Sequence, residues 1–426
     1  MRIINNLDHA QKLFLGKNRR SQNEHKDKSI SETVQTILNQ VFTQGDNALI
    51  NLSKKYDGIS LEQINIPQSL IDESIKSLSH EIKNAIKFSF DRISEFHEQN
   101  TYKSWFNKEE GYGENFTAIE KVGIYIPTNL VSTVLMTVIP AKIAGVKDIY
   151  ITTPPNDSGI PNSEILYASK LTDVTNVFPI GGSQAIAALA FGTETIPKVD
   201  LICGPGNTYV TEAKRQVFGT VGIDGIYGPT ETLIIADHSA NPTLCAADLI
   251  AQAEHDYEAR PILITTSPKL AENIKKEIYI RLSNLPREEI AKKSIENNGA
   301  IIIVDDNEQM INFSNSFAPE HVSLVTQNPE DILDKIQNAG AIFMGEFSHE
   351  VLGDYIAGPS HVMPTGGAAR FSSGISTRTF MKSSPVINLS QSTVNQISHS
   401  ASVLSKSEGL HGHSNAAEIR LDIEKF

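Results

Sequence analysis

From Ile30 to Asn100 apolar positions recur every three or four residues, as in SETVQTILNQVF and EIKNAIKFSFDRISEF. That spacing places them on one helical face, so the region predicts several helices. At Val122 the pattern changes to short, β-branched runs separated by longer helical segments. VGIYIP, DIYITTPP, TNVFPI and VDLICGPG predict buried strands; STVLMTVIPAKIAGV, SEILYASKLTD and SQAIAALAFG between them, and NTYVTEAKRQVF after the last, predict helices. Strands apolar at every position need cover on both faces, which βαβ units around a parallel sheet supply. ETLIIAD, PTLCAADLIAQAEHD and RPILITTS open a second such set, continued after two polar helices by AIIIVDD, HVSLVT and AIFMG. The fold class expected is therefore α/β, with two parallel-sheet units in tandem behind a helical N-terminal region.

The two ends read differently. Residues 1–21 predict an arm outside the core, and the wholly polar run from Asn18 to Lys28 predicts a hinge or linker. Past Gly345 the texture is loop-rich, and a helical tail follows.

Composition narrows the function classes. With 40% hydrophobic and 20% charged residues among 426, the chain has ample material for a buried core. A formal charge of -13 argues against a nucleic-acid surface, which needs clustered Lys and Arg. Cys203 and Cys245 alone make no disulfide framework. The N-terminus lacks the apolar core of a secretory signal, and Pro140 and Lys142 interrupt the longest apolar stretch. A soluble cytoplasmic protein with no membrane association is the expectation.

Chemistry-bearing residues cluster at junctions. No clean G-x-G-x-x-G follows a strand. Two glycine turns, Gly181-Gly182 and Gly204-Pro205-Gly206-Asn207, either let a phosphate approach a helix N-terminus or pack helix on sheet. Gln252 and His255 are three apart, hence on one helical face, and Asp354 and His361 flank a glycine-proline turn. Carboxylate and imidazoles suit zinc, although a solvated helix end accounts for the first pair equally well. Glu320 beside His321 at a helix-to-strand junction offers general-base material or a helix-terminal charge pair. Glu408, His411 and His413 form a polar knot near the C-terminus. Cys203 reads as a nucleophile or, more simply, as a small buried apolar residue.

Taken together, YIP at 125–127, GGSQAIAALAFGTETIPKVD at 181–200, GPGNTYVTEAKRQV at 204–217, GPTE at 228–231, AQAEHD at 251–256, APEH at 318–321 and GDYIAGPSHVMPTGGAARF at 353–371 resemble the histidinol dehydrogenase family, from about Ile30 to Arg420. The resemblance implies two incomplete Rossmann-like domains: 22–124 with 233–374, carrying metal and catalytic residues, and 125–232, binding NAD. It also implies a dimerisation tail over 375–426 and a homodimer with shared active sites. Zinc ligands would be Gln252, His255, Asp354 and His413, the last from the other subunit. Glu320 and His321 match the catalytic pair. Thr230, His361 and Glu408 match substrate contacts, alongside the zinc ligands and His321, and Tyr125, Gln184 and Asn207 match NAD contacts. The implied activity is the two-step, NAD-linked oxidation of L-histidinol through its aldehyde to L-histidine. Three segments depart from the family pattern: TNLVSTVLM after Tyr125-Ile126-Pro127 is shorter than the usual glycine-containing loop, GPTE makes Thr230 the hydroxyl donor, and SGISTRTFMKSS at 373–384 differs. Rival readings are a relative acting on another small polar alcohol and a non-catalytic metal- or nucleotide-binding relative.

Overall fold

The computed structural model describes residues 1–15, 24–61, 63–283 and 285–421. Its strands, in chain order, are β1 (Arg2–Ile4), β2 (Trp105–Asn107), β3 (Tyr112–Ala118), β4 (Lys121–Tyr125), β5 (Asp148–Thr152), β6 (Asn176–Phe178), β7 (Leu201–Cys203), β8 (Gly222–Ile223), β9 (Glu231–Ala236), β10 (Arg260–Thr265), β11 (Ala300–Ile303), β12 (His321–Val325), β13 (Ala341–Met344) and β14 (Met381–Ile387). The chain divides into two compact units, one of residues 1–100 and 119–380, the other of 101–118 and 381–426.

The larger unit contains two parallel sheets, ordered β1-β11-β10-β9-β12-β13 and β6-β5-β4-β7-β8. β9 and β12 are buried at every residue, as sheets covered on both faces require. One face of the six-stranded sheet packs through Leu249, Ile274 and Ile295, and the other through Phe313, Phe317 and Met310. The order reverses between β9 and β12 in the six-stranded sheet, and beside its first strand, between β4 and β7, in the five-stranded one. The helices after the strands start on sequence signals. Asn207 Oδ1 accepts from the Tyr209 and Val210 N–H groups to cap Thr208–Val217, and Asn241 caps Pro242–Ala253, which carries proline in its first turn.

The structure corrects several expectations. The N-terminus is no arm over residues 1–15: β1 pairs with β11, and Ala10 and Phe14 of the helix Leu7–Leu15 are buried against the six-stranded sheet. The linker expected over 18–28 falls mostly outside the described residues, and the chain is helical from Glu24. The N-terminal helices Glu24–Gln44 and Asp46–Tyr56 pack not with 233–374 but on Gly182–Phe191 of the other sheet's layer, burying Val34, Leu38 and Leu49 against Ala187 and Leu189. β4 likewise belongs wholly to the five-stranded sheet, four residues before the expected boundary at 125.

The smaller unit joins the antiparallel sheet β14-β3-β2 to a pair of helices, Gln391–Ser407 and His411–Glu418. Its boundaries differ from the expected 375–426 because β3 pairs with β14 along seven residues and draws 101–118 into the unit. Among the described residues no helix is long and apolar enough to cross a membrane.

Candidate active site

Two cavities of the larger unit lie at the reversal points of its sheets. The first, about 190 Å³, is lined by Thr230, His255, Glu320, His321, Asp354 and His361, with Thr133, Pro205 and Tyr227 opposite. Thr230 precedes β9, and His321 opens β12 beside Thr232, so these groups meet at the amino ends of the strands. Ligands of open α/β sheets ordinarily bind at the carboxyl ends. Here only the second sheet follows that rule: Tyr125 ends β4 and the turn from Gly204 follows β7.

The junction carrying Glu320 and His321 forms because the helix Asn307–Phe317 stops at Ala318, whose left-handed φ of 49° turns the chain into β12. Glu320 Oε2 accepts from the Thr230 hydroxyl at 2.5 Å and from the Glu231 N–H at 3.2 Å. The Gln252 amide donates in turn to the Thr230 hydroxyl, completing a chain from Gln252 to Glu320. Burial holds the Glu320 carboxyl above its usual range, against the pull of His321 and the two donors.

His321 Nδ1 lies 3.2 Å from the Glu231 carbonyl, while its buried Nε2 has no hydrogen-bond partner among the described residues. A proton on Nδ1, donated to that carbonyl, leaves Nε2 as the basic nitrogen. Burial disfavours its charged form, but Glu320, Glu350 and Asp354 together raise its pKa above the ordinary value. Asp354 stands between two imidazoles, Oδ2 at 4.0 Å from His255 Nε2 and Oδ1 at 3.9 Å from His321 Nε2. His361 is fixed by Asp354, whose carbonyl lies 2.8 Å from Nδ1, and by Thr133, whose hydroxyl lies 3.3 Å from Nε2. Desolvation lowers the pKa of His255 and His361, favouring the neutral imidazoles that bind metals or accept protons.

Gln252 and His255 do not share a helical face, contrary to the spacing argument. The helix ends at Ala253, and His255 lies beyond its C-cap, tied by its N–H to the Gln252 carbonyl at 3.3 Å. Among the described residues no three His, Cys, Asp or Glu side chains are placed to hold a metal ion together. Of the residues expected to hold a metal, His255 and Asp354 line this cavity, while Gln252 is buried behind it and reaches it through the Thr230 hydroxyl. Glu408, His411 and His413 are exposed and belong to the smaller unit. Cys203 is fully buried, its thiol pushed well up by desolvation, and lines neither cavity, so the packing reading holds.

The second cavity, about 400 Å³, brings together Tyr125, Gln184 and Asn207 with Gly182, Ser183, Tyr56 and Asp57. The Tyr125 hydroxyl accepts from the Gly182 N–H at 3.3 Å. Gly204, with φ of 107°, passes so near β4 that a Cβ would stand 2.1 Å from the Tyr125 carbonyl; here close packing demands the glycine.

Glu350 and Glu231 escaped the sequence reading. Glu350 is buried 3.5 Å from His321 Nδ1, and burial pushes its carboxyl up to about 8. It precedes Asp354 by four residues on the helix Glu350–Tyr355, a spacing that does not by itself show burial. Glu231 ties Arg260, at 2.9 Å, and the Gly366 N–H, at 3.1 Å, to the site's floor.

The histidinol dehydrogenase family model matches residues 19–421. The chain is 44% identical over 428 residues to histidinol dehydrogenase of Prochlorococcus marinus, covering 98% of this chain and 97% of that one. It is 42% identical over 400 residues to the Thermus thermophilus enzyme, covering 92% and 95%. The crystal structure of histidinol dehydrogenase from Elizabethkingia anophelis superposes with a TM-score of 0.90 at 38% identity, covering 93% of each chain. An acetylating aldehyde dehydrogenase from Geobacillus thermoglucosidasius, at 14% identity and a TM-score of 0.50, shares the fold alone. The chain belongs to the histidinol dehydrogenase family of oxidoreductases.

Proposed function

We propose that this protein oxidises L-histidinol through the aldehyde to L-histidine, in a cytoplasmic homodimer with zinc and NAD. The observation that carries the reading is the gathering of Thr230, Glu320, His321, Asp354 and His361 around one small cavity. Gln252, His255 and Asp354 would hold the zinc ion, with His413 of the partner subunit as fourth ligand. When bound, the metal would supply a Lewis acid that orients the substrate, and the dinucleotide would supply the hydride acceptor.

The protein's own groups then manage protons. His321, with Nδ1 facing the Glu231 carbonyl, takes the hydroxyl proton of the carbinol on Nε2 as hydride departs. Glu320, its Oε2 held by Thr230 and the Glu231 N–H, draws a proton from water adding to the aldehyde. His361, anchored between Thr133 and Asp354, and Glu408 of the partner subunit would grip the substrate's polar ends. Two free, buried cysteines are in keeping with a reducing compartment.

The test is stoichiometry: zinc-loaded protein given histidinol and NAD should form two NADH per alcohol consumed. One NADH per alcohol, with aldehyde accumulating, would limit the enzyme to the first oxidation. Turnover of other amino alcohols but not histidinol would replace the substrate.

A further inference from the structure

The cavity lined by Tyr125, Gln184 and Asn207 contains a carboxylate that the chemistry above leaves idle. Asp57 is the C-cap of the helix Asp46–Tyr56, its N–H bonded to the Ser53 carbonyl at 2.9 Å. Its Oδ2 is buried and accepts no hydrogen bond among the described residues, and the nearby Tyr125 phenol is pushed up to about 12 by burial first and by the Asp57 charge in smaller part. A buried acceptor without a donor is costly, so a bound molecule that supplies donors gains the difference.

Chain topology indicates which donors. In dinucleotide-binding folds an acidic residue at the end of the second strand accepts the ribose hydroxyls and excludes a 2′-phosphate. Here the strand after the first crossover, β5, ends in Thr152-Thr153-Pro154-Pro155, without any acid. Pro154 nevertheless lines this cavity, and Asp57 stands in the same wall, brought from a helix outside the βαβ units. Among the described residues no Lys or Arg lines the cavity, so none of them would neutralise an added phosphate. Two turns divide this space from the catalytic one: Thr128 and Asn207 face this side, Leu130 and Pro205 the other. The nicotinamide must reach the carbinol, so the half remaining for this cavity is the adenosine.

We propose that Asp57 accepts the hydroxyls of the adenosine ribose and makes the site selective for NAD over NADP, an inference resting on the reading of this cavity as the dinucleotide's. The measurement is calorimetric titration of zinc-loaded protein with NAD, NADP, AMP and 2′-phosphorylated AMP. The native protein should prefer NAD to NADP and AMP to its 2′-phosphate. Asp57→Asn, close in shape, should weaken NAD by about 10–100-fold, the worth of a charge-assisted hydrogen bond, while NADP changes far less. Equal affinity of the native protein for NAD and NADP, or unchanged or equally weakened binding of both in Asp57→Asn, would overturn the proposal. Gln184→Ala separates the two levels. If it weakens NAD while Asp57→Asn does not, only the role of Asp57 fails; if neither variant changes NAD binding, the cavity is not the cofactor's.

Discussion

Thr230 connects the two functions of the candidate site, since its hydroxyl receives the Gln252 amide and donates to Glu320. Glu320 and His321 are adjacent in sequence but differently held, Glu320 by two donors on Oε2 and His321 through Nδ1 with Nε2 unpartnered among the described residues. On the proposed mechanism they would act on different protons. Glu320→Gln should retain alcohol oxidation and stall at aldehyde hydration, because an amide cannot take water's proton. His321→Asn should chiefly slow the first hydride transfer, each loss being about 10²–10⁴-fold for a removed general base. Single-turnover assays started with alcohol and with aldehyde measure both, and equal losses from both starting points in Glu320→Gln would refute the division. The polar members of this site were legible because each stands in a short, distinctive motif at an element boundary. Glu350 and Glu231 were not, because a carboxylate in sequence carries no mark of burial. Only the packing of β9, β12 and the helix Glu350–Tyr355 shows that both are enclosed beside His321 or beneath it.

Elements buried on both faces were the most legible. β9, β10, β11 and β12 each read as a short apolar run, since a covered parallel strand tolerates little else. β3 was missed because its YGENFTA is mostly polar and half-exposed, and β1 because three residues make no period. Helical spacing identified the N-terminal helices but not their partner: an apolar stripe states that a face is buried, not against which sheet. The helix His80–Glu98, packed on Val131–Ile143, carries a consequence for stability. His97 is buried there, neither ring nitrogen has a partner among the described residues, and desolvation lowers its pKa to about 4. Unfolded chains protonate this imidazole near pH 6.5, whereas the folded protein resists down to about 4. The unfolded state therefore binds the extra proton across that window, and stability falls as pH drops from about 6.5 to 4, by up to about 3 kcal/mol. Urea unfolding at stepped pH should show this slope, and His97→Leu should remove about one proton's worth of it. An unchanged slope in the variant would mean that His97 already bears its proton or a partner when folded.

At the scale of the molecule, the smaller unit has too little core of its own. Among its described residues those buried are glycines and serines only: Gly111, Gly113, Ser398, Ser402, Ser405 and Ser414. Its helix pair is joined by polar contacts, Ser402 to Ser414 at 2.9 Å and Lys406 to Glu418 at 2.6 Å, while Ile387 and Leu404 stay 71% and 64% exposed. A three-stranded sheet and two helices without an apolar interior gain too little burial to offset their ordering, so their exposed apolar faces call for a covering surface. On the proposed reading the occupant would be a second copy of this chain, whose exposed His413 would also supply the fourth metal donor. Under that arrangement each site takes Gln252, His255 and Asp354 from one chain and Glu408 and His413 from the other. His255→Ala and His413→Ala should each be inactive as homodimers. In a mixed dimer one site carries both lesions and the other carries neither. Refolding equal amounts together gives about half mixed dimers, each with one intact site, so roughly a quarter of native activity should return. Separately refolded variants are the control. If mixed dimers form, confirmed by distinct affinity tags, and no activity returns, His413 serves its own chain or binds no metal.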